Sequence, residues 1–114
     1  MNTILYEEKR NLIKKVVKQN LNITFPEIVI LDKLIYLNKE SVEALELKGL
    51  LHNQNTPISI QINNLINQGL LKKSRDAYDE RCIQLHDIDL VKIKSIIEQY
   101  HLIVESILNP SLKN

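Results

Sequence analysis

The sequence predicts a mainly helical fold with a small β-hairpin (α+β), in the order α-α-α-α-β-β-α. Three observations carry this prediction. Ile and Leu recur at helical spacing along most of the chain. Two glycines and three prolines leave little material for the many turns of an all-β sandwich. After Gly69 the pattern changes to two short apolar runs flanking a polar, charged interval. With 114 residues, 44% of them hydrophobic, the chain is sized for one domain, residues 1–114, with a continuous core.

The first helix is predicted from Asn2 to about Asn20. Leu5, Leu12, Ile13, Val16 and Val17 fall on one stripe, and Lys9, Arg10, Lys14, Lys15 and Lys18 occupy the rest. A second helix opens at Thr24, which with Glu27 three residues later fits a capping box; Pro26 sits in the first turn, where a missing N–H costs nothing. It runs to about Leu37, and the unbroken run Ile28-Val29-Ile30-Leu31 suits a helix buried on more than one side. A short third helix is expected from Ser41 to His52. The fourth is expected to be capped by Thr56, to carry Pro57 at its first position, and to stop at Gly69 after Gln68. Two short helices joined by a few residues form a helix-turn-helix layout.

Leu70 to Lys73 and Cys82 to His86 are expected as the two strands of the hairpin, with SRDAYDER as its charged tip. Asp87 or Asp89 can cap a last helix that runs to about Leu108 before Pro110. Leu90, Ile93, Ile97, Tyr100, Val104 and Ile107 line its inner stripe.

Charge and composition narrow the function. Fifteen basic residues against fourteen acidic ones give a net charge of +1, so any binding to nucleic acid must come from local placement rather than overall charge. A single cysteine forms no internal disulfide, which fits a reducing compartment, the cytoplasm by default. Glu7, Glu8, Lys9 and Arg10 interrupt the apolar run that a signal peptide needs, and no stretch approaches the roughly 18 apolar residues of a membrane span. His52, His86 and His101 are scattered without metal-ligand spacing, and neither a phosphate loop nor a nucleophile motif occurs. The expectation is no enzyme, no metal and no cofactor.

The fourth helix and the hairpin are the candidate site. With Ile58, Ile62, Leu65 and Ile66 on one side, Ile60, Asn63, Asn64 and Asn67 project from the other and Ser59 lies at the border. An asparagine amide offers a donor and an acceptor that match adenine, and an aliphatic side chain can contact a thymine methyl, so this face suits A·T pairs in a major groove. A solvated helix face and a protein contact are the alternatives. Lys72, Lys73, Arg75 and Arg81 concentrate four cations in ten residues, and a projecting loop can carry arginine into a narrow minor groove while lysines meet phosphates. Asp76, Asp79 and Glu80 offset three of those charges. Asp79 is the carboxylate best placed to tie the loop base to Arg81, leaving Arg75 at the tip; a mixed-charge surface turn is the competing reading.

The stretch NNLINQGLLKKSRDAYDERCIQLH, residues 63–86, resembles the end of the recognition helix and the wing of MarR-type winged-helix regulators. It is most similar to the SarA-type branch, whose wing has the form K-x-R-S-x-x-D-E-R followed by a strand. Lys73, Ser74, Arg75 and Asp76, then Asp79, Glu80 and Arg81, stand at those places, and LNITFPEIVILDKLIYL resembles the family's second helix. The resemblance implies a winged helix-turn-helix that binds double-stranded, A·T-rich promoter DNA as a homodimer. By it, the fourth helix enters the major groove with Thr56, Ser59, Ile60, Asn63, Asn64 and Asn67. Lys72, Lys73, Arg75 and Arg81 are the basic wing, supported by Asp79 and Glu80. Two departures stand out: residues 57–68 carry no charge where the family often has Lys or Arg, and Ser74-Arg75 reverses the family's R-S order.

A lone unit presents a small charged footprint, so useful affinity needs two units on adjacent turns of DNA. Leu5, Leu12, Val16, Leu102, Ile103 and Ile107 exceed what a minimal core needs and form the expected dimer interface. The alternative function is a protein-interaction module of the same architecture that dimerises with a relative, or docks on another protein through Ile60. Cys82 is either a redox switch or an inert strand residue.

Overall fold

A computed structural model describes residues 3–51, 58–75 and 83–109, with side chains described from Glu7 onward. The elements are α1 (Thr3–Leu21), α2 (Phe25–Leu37), β1 (Val42–Glu43), α3 (Ala44–Gly49), α4 (Ser59–Asn67), β2 (Lys72–Arg75), β3 (Ile83–His86) and α5 (Leu90–Leu108). The mainly helical fold with a small sheet is as the sequence predicts. The difference lies at residues 42–43, which were expected to open the third helix.

Those two residues form a strand on the far side of β3, giving a three-stranded antiparallel sheet in the order β1-β3-β2. Val42 faces Leu85 and Glu43 faces Gln84. The physical reason is burial: paired on β3, Val42 is 2% exposed against the core, and its β-branched side chain suits a pleated surface. The third helix is correspondingly only six residues long.

With so little glycine, asparagine and aspartate take the left-handed backbone positions, because their short polar side chains tolerate them best. Asn22, Asn38 and Asp87 all have φ between 51° and 56°. Asn22 and Asn38 close the helices before them, donating to the Lys18 and Leu34 carbonyls at 3.0 Å. Gly69, with φ of 75°, ends α4. Its N–H reaches the Ile66 carbonyl at 2.9 Å and the Leu70 N–H reaches Leu65 at 3.2 Å, the paired pattern of a Schellman stop. Leu70 and Leu71, expected in the strand, instead form a buried link between α4 and β2.

Of the two aspartates offered as caps for the last helix, Asp89 takes the role: its Oδ1 accepts from the Lys92 N–H at 3.0 Å. At the start of α2, Glu27 Oε1 accepts the Thr24 N–H at 3.1 Å, the reciprocal arm of the expected capping box. The core is aliphatic, with Ile23, Leu31, Leu34, Leu47, Leu65, Leu85 and Ile93 fully buried between α2, α4, α5 and the sheet. Phe25 and Tyr100 meet edge to face with centroids 6.1 Å apart, joining α2 to α5, and Lys14 of α1 lies over the Phe25 ring.

Candidate nucleic-acid interface

Helix α4 is amphipathic because its apolar residues recur at helical spacing. Ile62 and Leu65 are buried, while Ser59, Ile60, Asn63, Asn64 and Asn67 are exposed. Ile60 is 71% exposed, a large apolar side chain on an uncharged outer face. The hydrogen-bonded ladder opens at the Ile58 carbonyl, which accepts the Ile62 N–H at 2.9 Å. The regular helix thus begins at Ser59 after Ile58, while the expected cap and first position, Thr56 and Pro57, lie outside the described residues.

The hairpin stands beside this helix. Lys72, Lys73, Ser74 and Arg75 are all exposed and face His86, Leu85, Gln84 and Ile83 across the strand pair. Because strand side chains alternate, Lys73 and Arg75 share a face, and Lys72 and Ser74 take the other. Lys73 reaches α4 from its face: its Nζ donates to Asn63 Oδ1 at 2.8 Å. On the opposite face Lys72 Nζ lies 3.7 Å from Asp87, an exposed pair that contributes little to stability but draws that ammonium toward the end of β3. The predicted wing residues Asp79, Glu80 and Arg81, together with Asp76 and Cys82, lie outside the described residues.

Asn63 and Asn64, adjacent in sequence, are committed in opposite directions. Asn63 is bound to the hairpin, whereas the Asn64 amide donates to Glu27 Oε2 at 2.9 Å. That carboxylate belongs to a side chain only 2% exposed, the buried charged group among the described residues. Asn64 was expected to face outward as a base reader; the structure turns its amide to α2 instead, because a buried carboxylate needs a donor. Asn67, Ser59 and Ile60 remain on the outer face. Gln68, one turn beyond Asn64, donates to the Asn22 carbonyl at 2.9 Å, and Lys92 of α5 reaches the Gln68 carbonyl at 3.4 Å. Sequence reasoning missed these links. The capping box accounts for one Glu27 oxygen only, and no local pattern names a partner 37 residues away.

Of the expected dimer residues, Leu12 is 47% and Leu102 66% exposed, while Val16, Ile103 and Ile107 are half-buried. They lie on α1 and α5, which pack against each other. The Leu5 side chain is outside the described residues. Among the described residues no group of three or more His, Cys, Asp or Glu gathers as a metal site, and no helix is long and apolar enough to cross a membrane.

Comparison with known proteins agrees with this layout. The chain superposes with a TM-score of 0.70 on a mutant of MepR from S. aureus, with 19% identity over 96% of this chain and 77% of that one. It matches the YusO protein of Bacillus subtilis at a TM-score of 0.70, with 15% identity over 96% of this chain and 74% of that one. A mutant MarR from E. coli, solved in complex with operator DNA, gives 0.61 with 19% identity, covering 96% of this chain and 74% of that one. These likenesses establish a MarR-type winged-helix fold. The model of the family described as transcriptional regulator SarA/Rot matches residues 12–96, in line with the resemblance carried by the hairpin motif. With that match spanning most of its length, the chain belongs to the SarA/Rot family of transcriptional regulators, whose members are not enzymes.

Proposed function

We propose that the protein is a sequence-specific DNA-binding regulator that acts as a homodimer on A·T-rich promoter DNA in the cytoplasm. Helix α4 lies in the major groove and the hairpin reaches an adjacent minor groove. The observation that carries this reading is the joint surface made by α4 and β2. An outer helix face of Ser59, Ile60, Asn63 and Asn67 is joined, through the 2.8 Å contact between Lys73 and Asn63, to a strand bearing Lys72, Lys73 and Arg75. Amides and an aliphatic side chain suit adenine and the thymine methyl; the cations suit phosphates and a narrow groove. By the family resemblance, Thr56 and Arg81 are proposed as further DNA contacts, and Asp79 and Glu80 as the wing's supporting carboxylates. The resemblance to a regulator solved with operator DNA supports the same docking.

Exposed apolar surface and the affinity argument support dimerisation. Leu12 and Leu102 expose apolar surface on the first and last helices, and two units on one DNA face raise affinity that one small footprint lacks. Leu5, Val16, Ile103 and Ile107 complete the proposed contact.

The test is titration of a labelled A·T-rich duplex and a G·C-rich duplex at several salt concentrations. The reading predicts tighter binding to the A·T-rich duplex and a steep loss of affinity with salt. Arg75→Ala should weaken binding while leaving helix content and dimerisation intact. The exposed Ile60 on an uncharged helix also suits a protein partner, and a flat salt response with no preference between duplexes would favour that second reading.

A further inference from the structure

We infer that Glu27 is a positioning residue for α4 and that Asn64 is its partner rather than a reader of bases. The inference rests on the DNA-binding reading above and names what sets the angle of the reading helix. The two carboxylate oxygens of Glu27 are spent on different elements. Oε1 accepts the Thr24 N–H, one of the orphan donors at the start of α2, and Oε2 accepts the Asn64 amide. The first bond aims the carboxylate from within its own helix, so the second holds α4 against a direction already set. A carboxylate only accepts, so it is the amide nitrogen of Asn64 that faces it, and the Asn64 amide is turned away from the outer face.

One turn further along α4, Gln68 binds the carbonyl of Asn22 at the corner between α1 and α2. Asn64 and Gln68, four residues apart on one edge of the helix, are thus both tied to that corner. Asn63, on the other edge, is tied to the hairpin by Lys73. The outer face of Ile60 and Asn67 lies between two anchored edges, and its presentation to a groove depends on both. Burial raises the stakes at Glu27: at 2% exposure, leaving one of its oxygens unpaired carries a desolvation cost.

The experiment reverses the polarity of the bond. Glu27→Gln, Asn64→Asp and the double variant are compared with the parent in two measurements. One is thermal unfolding. The other is the ratio of affinities for a duplex that the parent selects from random-sequence fragments and for the same duplex with its central base pairs changed. Asn64→Asp sets two carboxylates against each other, and the discrimination ratio should fall about tenfold or more. Glu27→Gln should stay near the parent, because the Asn64 amide can rotate to offer its oxygen. In the double variant, the introduced glutamine can keep the Thr24 bond through its oxygen and donate its amide to the new carboxylate, so melting temperature and discrimination should both return. The ratio is chosen because uniform repulsion of phosphates by the added charge cancels in it.

A double variant that melts like the parent yet discriminates as poorly as Asn64→Asp would overturn the inference and make Asn64 a direct reader. Parent-like discrimination in Asn64→Asp alone would overturn it as well. If the parent selects no duplex, the DNA-binding reading falls instead, and the melting temperatures decide the pairing: rescue by the double variant upholds the tie, and its absence refutes it.

Discussion

Lys73 Nζ and Asn63 Oδ1 lie 2.8 Å apart, joining the first strand of the hairpin to the outer edge of α4. The contact exists because Lys73 falls on the strand face that turns toward α4, while its neighbour Lys72 falls on the other and meets Asp87 instead. At an exposed position such a bond stabilises the fold by about 1 kcal/mol or less. Its consequence is orientation: the amide of Asn63 and the ammonium of Lys73 are held together as one unit on the outer surface.

Lys73→Ala should therefore weaken DNA binding at every sequence and lower the slope of log affinity against log salt by about 1. Fold stability should change by no more than about 1 kcal/mol. Fluorescence anisotropy with a labelled duplex across a salt series reads the slope, and an unchanged slope would remove Lys73 from the phosphate contacts.

Leu102→Asp should convert a dimer to monomers without loss of helix content, since the side chain is 66% exposed in the single chain and supports little of its core. Sedimentation equilibrium distinguishes the states. A dimer that survives this change and the matching Leu12→Asp would move the interface away from α1 and α5.

The two glycines should respond to alanine with opposite signs. Gly69 has φ of 75°, and the nearest atom to an added Cβ is the Lys92 ammonium nitrogen at 4.0 Å. Space is open there, so the cost of Gly69→Ala is backbone strain, about 1 kcal/mol. Gly49 is the last residue of α3, and an added Cβ would meet nothing within 4 Å. Gly49→Ala should stabilise by about 0.5 kcal/mol through helix propensity and the reduced freedom of the unfolded chain. Urea unfolding midpoints of the two variants should move to opposite sides of the parent.

Asp89→Ala removes the side-chain cap of α5 and should cost about 1 kcal/mol, whereas Asp89→Asn keeps an acceptor and should cost much less. Equal losses in the two variants, measured by chemical denaturation, would show that the charge of Asp89 matters more than its cap.

The local elements were legible because each rests on neighbours in the chain. Thr24 and Glu27 announced the start of α2, Gly69 the end of α4, and Asp89 one of two possible starts of α5. The outer face of α4 followed from the spacing of Ile62 and Leu65. The sequence misled where a residue had two local options: Val42 fits a helix by periodicity and a strand by branching, and only the presence of β3 beside it selects the strand.

Helix order, the hairpin and the candidate surface were thus determined by the sequence alone, since hydrophobic spacing, caps and left-handed stops act within a few residues. The tertiary structure decided which side chains of that surface stay outside. Asn63 and Asn64 are the same residue type on the same helix, and no sequence pattern separates them. One finds a lysine on a strand ten residues on, the other a buried carboxylate 37 residues back. A buried charge must be satisfied by whatever donor the packing brings to it, and that donor is known only once α2 and α4 stand side by side.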